Sequence, residues 1–254
     1  MTTERLYRTD AIILRRSDHG EADRLLTVFT PARGKLRLVA KGVRKTTSRK
    51  GGHVELFMLT DMLVAHGRTW DIVSQAEVVE AYRGLRENLD KTGHAYYLAE
   101  LVDRFTEEHD PNRPLFELLA LTLARLSHSD DPFITLRFFE LHVLGLAGFQ
   151  PQLHFCVACQ EPIRPVDDNY FRYSDGGLLC PQHGPLRPNA EPLPLAVLKV
   201  LRFLQTEPWE KVANLQLTAD TRSHVESLLL GYIIFLLERR LKSVDFIRRL
   251  RRDG

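Results

Sequence analysis

The sequence predicts an α+β chain in which a small N-terminal β-barrel is followed by an α-helical domain carrying an inserted cysteine module. Three observations predict it. Five short β-prone runs fill roughly the first eighty residues. A helical apolar period takes over after Tyr82. An irregular stretch from Gln150 to Pro194 then holds all three cysteines of the chain. The expected domains are 1–82 for the barrel and 83–254 for the helical part, with the insertion at about 150–190.

The strands come first. Ala11–Leu14, Leu25–Phe29 and Leu36–Ala40 are short and rich in β-branched or bulky apolar residues, and Asp18-His19-Gly20 and Pro31-Ala32-Arg33-Gly34 separate them as turns. Two more runs, at about Val54–Ala65 and Thr69–Val79, are split by His66-Gly67. Five strands of this length suit an OB-fold or an SH3-like barrel, and strand count alone does not separate the two. Beyond Tyr82, Leu98, Leu101, Val102 and Phe105 recur at helical spacing, as do Phe116, Leu119, Ala120 and Leu123. Pro114 and Pro132 fit first-turn positions. Asp131 fits an N-cap, opening a third helix from about Pro132 to Ala147. Helical pattern resumes over Leu195–Leu204 and again from Val225 to Leu236.

Composition excludes several classes. Three cysteines do not make a secreted disulfide framework. Met1–Arg5 has no apolar leader core. The longest apolar run, Leu228–Leu237, is about half of the ~20 residues that a membrane span needs. The expectation is a soluble, cytoplasmic protein with no membrane partner.

A net charge of +2 conceals strong segregation. No acidic residue lies between Asp23 and Glu55, while Arg24, Arg33, Lys35, Arg37, Lys41, Arg44, Lys45, Arg49 and Lys50 all do. Strand parity puts Leu36, Leu38 and Ala40 on a core face and Lys35, Arg37 and Lys41 on the other. The loop that follows adds four more cations, with hydroxyls and glycines between them. Such a surface suits a nucleic-acid backbone, because each neutralised phosphate releases condensed counterions. Five contacts to a single strand would give a log–log salt slope of roughly −3.5. The competing reading is a solvated strand face with a mobile loop. Aromatics are scarce in this stretch, so backbone contacts are expected to outweigh base stacking. A second basic cluster, Arg239, Arg240, Lys242, Arg248, Arg249, Arg251 and Arg252, reads equally as a polar tail or an auxiliary phosphate site.

Cys156-Val157-Ala158-Cys159 and Cys180-Pro181-Gln182-His183 are two chelating pairs twenty residues apart. Each pair delivers two ligands from one turn, and together they complete a tetrahedron for structural Zn²⁺ with no open position. His154 is the rival for the fourth place. A redox pair is the other reading of Cys156 and Cys159, but no βαβ pattern flanks them. Nothing in the sequence points to catalysis. Phosphate-loop, nucleophile-elbow, zincin and dinucleotide motifs are all missing. The acidic group Asp18, Glu21 and Asp23 sits where a tight turn is expected, and turn chemistry explains it better than a two-metal nuclease does.

Gly20-Glu21-Ala22-Asp23-Arg24-Leu25-Leu26-Thr27-Val28-Phe29-Thr30, then Gly34-Lys35-Leu36 and Ala40-Lys41-Gly42-Val43-Arg44-Lys45, resemble the N-terminal signature of the bacterial RecO family of DNA repair proteins. Ser48-Arg49, Gly51-Gly52, Tyr97–Asp103 and Leu136–Leu141 continue the resemblance in order. It implies an OB-fold, a helical domain and often a zinc module. It implies binding of single- and double-stranded DNA and annealing of complementary strands at the nucleoid. It also implies partnership with RecR and with the C-terminal tail of single-strand binding protein, in support of RecA loading. Many relatives with a metal site carry four cysteines; here His183 stands in the fourth place. Arg137, beside Phe138 and Phe139, is the candidate for holding an acidic, aromatic peptide tail, against ordinary amphipathic packing of those phenylalanines. The alternative function is an RNA-binding or ribosome-associated protein of the same layout.

Overall fold

The computed structural model describes residues 5–238 and 240–253. Strands β1 (Leu6–His19), β2 (Asp23–Thr30), β3 (Gly34–Ala40), β4 (Leu59–Ala65) and β5 (Asp71–Glu80) close into a barrel in the order β1-β2-β3-β5-β4. Long β1 serves two partners. Its first half, Leu6–Ile12, pairs with β4 and its second half, Ile12–His19, with β2. A register shift between Ile13 and Arg15 marks the bend between them. β3 meets β5 in parallel through Leu38 and Val39, and the other pairings are antiparallel. This is an OB-like barrel, which decides between the two types that strand count left open.

The interior follows the expected parity. Leu36, Leu38 and Ala40 face inward with Ile13, Leu26, Val28, Met62 and Val64. The run from Val54 differs from expectation, because β4 starts only at Leu59. Val54 instead drops fully buried into the barrel core. Phe57 turns the chain at a φ of 66°, and its N–H donates to the Ile13 carbonyl at 2.9 Å. The left-handed backbone at Phe57 interrupts the extended run, and the strand begins only beyond it.

The chain forms two compact units. The first runs to Ser129 and takes back the segment from Lys242; the second is Asp130–Leu241. The change from strand to helix falls near residue 82, whereas compactness divides the chain at 129/130. In the first unit, α1 (Gly84–Glu87), α2 (Leu89–Phe105) and α3 (Arg113–His128) follow the barrel. Asn88 caps α2 by accepting from the Asp90 and Lys91 N–H groups, and Asn112 caps α3 by accepting from Leu115, with Pro114 in the first turn. Ile12, Leu14 and Phe29, on the outside of the barrel, are at most 1% exposed, and Phe29 lies 6.3 Å from the Phe116 ring of α3. Full burial of such side chains contributes about 1.5–3 kcal/mol each.

One polar contact fixes this layer. Lys35 Nζ donates to the Asp103 carbonyl at 2.6 Å and the Thr106 carbonyl at 2.7 Å, and pairs with the Asp103 carboxylate at 3.2 Å. Beside it, Gly34 sits at a φ of 65°, where a Cβ would lie 2.1 Å from the Asp110 carbonyl oxygen. Only glycine permits that approach.

In the second unit, α4 (Phe133–Leu146), α5 (Leu195–Thr206), α6 (Trp209–Val212) and α7 (Ala219–Leu237) accompany a small sheet. Its strands, β6 (Asn169–Arg172), β7 (Gly177–Leu179) and β8 (Glu191–Leu193), lie in the order β7-β6-β8. The N-cap of α4 is Pro132, one residue beyond the expected Asp131. Asp131 still accepts the Phe133 N–H at 3.1 Å and is gripped by both Arg222 nitrogens at 2.6 Å. One expectation is corrected. Arg137 is not a surface cation: it is 4% exposed and pairs with buried Glu140 at 2.6 Å, while Phe138 and Phe139 are also buried. α4 is apolar on nearly every side, so its one arginine is drawn inward by a carboxylate one turn away. The last helix, α8 (Lys242–Asp253), belongs to the first unit. Its N-terminus is capped by Glu100 of α2, which accepts from the Ser243 N–H at 2.9 Å and hydroxyl at 2.6 Å. No described helix is long and apolar enough to cross a membrane.

Two stability outcomes follow from these contacts. Lys35→Met strands two carbonyls and a carboxylate, and should lower unfolding free energy by about 2–3 kcal/mol in urea titration. Arg37→Ala, on the same face but in an exposed pair, should change it by less than about 0.5 kcal/mol. The Arg222 guanidinium holds the Asp131 carboxyl below the usual carboxylate range. Its contribution is therefore complete above the unfolded-state value and is lost as pH falls through the lowered folded value. Asp131→Asn should remove that part of the acid sensitivity.

Candidate nucleic-acid interface and metal centre

The nine cations of the basic stretch separate into distinct groups in space. Lys35 is consumed by the fold, as described. Arg37 pairs with Glu108 at 2.6 Å. Arg24 pairs with Glu55 at 2.9 Å, and its Nε lies 3.6 Å from Asp18. Arg44 lies 3.3 Å from Asp18. Arg33, at the opposite end of β3 from Lys41, stacks its guanidinium 4.0 Å above the Tyr7 ring. Lys50 Nζ donates to the Val73 carbonyl at 2.9 Å, and burial lowers the pKa of that ammonium. Lys41, Lys45 and Arg49 are exposed, and among the described residues none of the three has an ion pair or side-chain hydrogen bond to the protein.

These three project from a built platform. Gly42, at a φ of 64°, turns the chain out of β3, and its N–H donates to Asp23 Oδ1 at 2.7 Å. The Arg44 N–H donates to the Ala22 carbonyl at 2.9 Å, while Val43 is buried in the barrel core. The Lys45 N–H donates to the Gly42 carbonyl and that of Ser48 to the Lys45 carbonyl. The backbone of Gly42, Arg44, Lys45 and Ser48 is thus tied down, and the side chains of Lys41, Lys45 and Arg49 are exposed along it. Asp23 is therefore a structural acceptor, and Asp18 is a partner for arginines. Neither belongs to the one group of described residues arranged to hold a metal ion.

Sequence reasoning overlooked an aromatic pair on this rim. His19, at the end of β1, meets Trp70, in the β4–β5 loop, edge to face with ring centroids 5.5 Å apart. A separation of 51 positions in the sequence hid it. In the C-terminal cluster, Arg240, Lys242, Arg248 and Arg249 are exposed, the last three on α8. Arg239 and the side chains of Arg251 and Arg252 lie outside the described residues.

The metal-ligating group is assembled as the spacing predicted. Ligand atoms of Cys156, Cys159, Cys180 and His183 all lie within 4.8 Å of one another, and Cys180 Sγ is 3.1 Å from His183 Nδ1. Both pairs sit on tight turns. The Gln160 N–H donates to the Cys156 carbonyl at 2.8 Å, and the His183 N–H to the Cys180 carbonyl at 3.0 Å. Burial raises the Cys156 thiol, but N–H groups of Cys180, Cys159 and Ala158 aimed at its sulfur outweigh that and bring it to about 7. The fit to a tetrahedral ion is good, since metal–sulfur bonds of about 2.3 Å place ligand atoms about 3.8 Å apart. His154 is not in the group. Its N–H donates to Gln152, and burial followed by Arg202 lowers its ring pKa.

Comparison with known proteins covers nearly the whole chain. The family described as "Recombination protein O N terminal" matches residues 1–82, and "Recombination protein O C terminal" matches residues 86–245. A "DNA repair protein RecO" from Roseiflexus sp. is 44% identical over 244 residues, 96% of this chain and 86% of the relative. Another from Pelotomaculum thermopropionicum is 38% identical over 96% of this chain and 94% of the relative. A third from Dehalococcoides mccartyi is 32% identical over 99% and 98%.

Elemental analysis of purified variants tests the ligand set. Cys156→Ser and His183→Ala should each abolish stoichiometric metal, whereas His154→Ala should retain it. Retention by His183→Ala with loss by His154→Ala would reverse the assignment.

Proposed function

The chain belongs to the recombination protein O family of DNA repair proteins, and from that premise we propose that it binds single- and double-stranded DNA and anneals complementary strands without covalent catalysis. The single observation that carries this reading is the trio Lys41, Lys45 and Arg49, exposed and unpaired among the described residues, on a loop that the barrel holds in place. Such charges neutralise phosphates and release counterions. Two strands brought to one cationic rim repel each other less, so base pairing can nucleate. Arg44, Arg37 and Arg24 sit in ion pairs with solvent access and supplement the trio by exchanging a carboxylate for a phosphate. The His19–Trp70 pair adds aromatic surface beside it.

The Cys156, Cys159, Cys180 and His183 group takes Zn²⁺ in a structural role. Three soft thiolates and one imidazole, with no open coordination position, suit that ion. It ties together residues from about 150 to 184, which hold too little apolar surface to fold alone. In the cell the protein works in the bacterial cytoplasm at the nucleoid, with RecR and the C-terminal tail of single-strand binding protein as partners in RecA loading. The family's shared role supports those partners. Buried Arg137 is not carried forward as the residue that holds the tail.

The test is annealing of complementary DNA strands coated with bacterial single-strand binding protein. Wild-type protein should accelerate duplex formation, and deleting the coating protein's tail should reduce the effect. The combined Lys41→Ala, Lys45→Ala and Arg49→Ala variant should anneal about tenfold more slowly or worse. Equal rates for variant and wild type, or a clear preference for RNA strands, would overturn the reading. Release of nucleotides in magnesium would favour a nuclease.

A further inference from the structure

A cleft of about 560 Å³ lies in the first unit, between the second half of β1 and helices α2 and α8. Its floor is apolar and aromatic: Leu14, Leu56, Tyr96 and Phe246. Its rim is cationic: Arg15, Arg16, Arg104 and Lys242. Two carboxylates, Glu100 and Asp103, also line it, but both are occupied. Glu100 caps α8, and Asp103 holds Lys35 and Arg15. Their side chains are 15% and 18% exposed, against 73% for Arg15. Arg16 pairs with Glu55, and Arg104 lies 3.9 Å from Glu100. Four cations against two carboxylates still leave the lining net positive. Tyr96 and Phe246 are 40% and 37% exposed, unusual for rings of this size beside a packed helix pair.

The cleft does not end at the helices. Arg15, Arg16 and Asp103 also line a polar slot across the outer face of β1, β2 and β3. There Arg15 lies opposite Thr27, and Thr27 opposite Arg37, in one row over three neighbouring strands. Adjacent strands are about 4.8 Å apart, so two guanidiniums flank a hydroxyl at roughly 10 Å separation. Aromatic floor and cationic row together match a ligand with flat apolar groups on a polyanionic backbone. Arg15 and Arg37 pair with Asp103 and Glu108 at 3.3 and 2.6 Å, and a nucleic-acid strand that follows the row exchanges those carboxylates for phosphates.

We propose that this cleft and slot form a second nucleic-acid track, specific for unpaired strands, in which a base enters against Tyr96 and Phe246 while its phosphates lie on Arg15, Arg37 and Lys242. It rests on the DNA-binding reading above but is separate from the Lys41, Lys45 and Arg49 rim, which contacts backbone alone. One chain then carries two surfaces of different kind. The rim accepts either single or double strands, and the cleft accepts only exposed bases.

The experiment uses the full-length protein and an oligonucleotide containing 2-aminopurine, whose fluorescence is quenched when stacked. Single-stranded probe should lose fluorescence on binding wild-type protein. Phe246→Ala should restore much of the fluorescence and weaken single-strand binding about five- to tenfold, with duplex affinity unchanged. Lys242→Glu, at an exposed position that leaves α8 packed, should weaken single-strand binding similarly. The rim variant should weaken both single- and double-strand binding while keeping the quench at saturation. If both cleft variants bind and quench like wild type while the rim variant is impaired, the cleft proposal falls and the DNA-binding reading stands. If no variant alters binding, both fall. No quench of the single-stranded probe, together with binding of a labelled Asp- and Phe-rich peptide that Phe246→Ala abolishes, would assign the cleft to an acidic peptide and overturn the proposal.

Discussion

The buried ammonium of Lys35 determines how the first unit is built. It stands on the outer face of β3 and finds its partners in the last turn of α2 and just beyond, at the carbonyls of Asp103 and Thr106 and the carboxylate of Asp103. A buried lysine is tolerable only when its donors are satisfied, and here all three are. The contact pins α2 and its following segment across the β1–β2–β3 face. It is reinforced at Gly34, whose lack of a Cβ admits the Asp110 backbone. The face that parity made basic is thereby partly covered. Arg37 is drawn to Glu108 and Arg15 to Asp103, and open charge is displaced to the loop beyond Ala40.

That redistribution gives the barrel its chemistry. Charges paired with carboxylates at 2.6–3.3 Å have already exchanged water for protein. Charges left open, on a loop whose backbone is held by Asp23, Ala22 and buried Val43, gain most from a phosphate and lose little entropy in meeting it. The acidic turn read in the sequence as a rival catalytic site is thus part of the same device, because Asp23 aims the loop. The metal group is independent of it. Its thiolates and imidazole are brought together by two short turns within the second unit, and N–H groups directed at Cys156 favour the thiolate that an ion requires.

Much of this was legible in the sequence, for reasons that differ by element. Alternation in Leu36–Ala40 and helical spacing around Leu98 and Leu119 are local patterns, and they located the barrel and the first helices. The metal group was legible because chelation demands short spacing, and spacing is visible in one dimension; only the choice of His183 over His154 needed coordinates. What failed was exposure. Lys35 and Arg137 are charged, and charge alone predicted surface, but each has a carboxylate within reach that sequence separation or helical geometry concealed. Val54 read as strand because a barrel plug and a strand residue are equally apolar. The cleft at Tyr96 and Phe246 joins residues 150 positions apart, and no periodic signal connects them.

The most direct measurement is the salt dependence of single-strand affinity for wild-type protein and for the combined Lys41→Ala, Lys45→Ala and Arg49→Ala variant. Three phosphate contacts removed should flatten the log–log slope by about 2. The Lys35→Met variant, measured while still folded, should keep the wild-type slope, because that ammonium faces Asp103 and not solvent. An unchanged slope in the loop variant, or a reduced slope in Lys35→Met, would contradict the division of charge on which this interface depends.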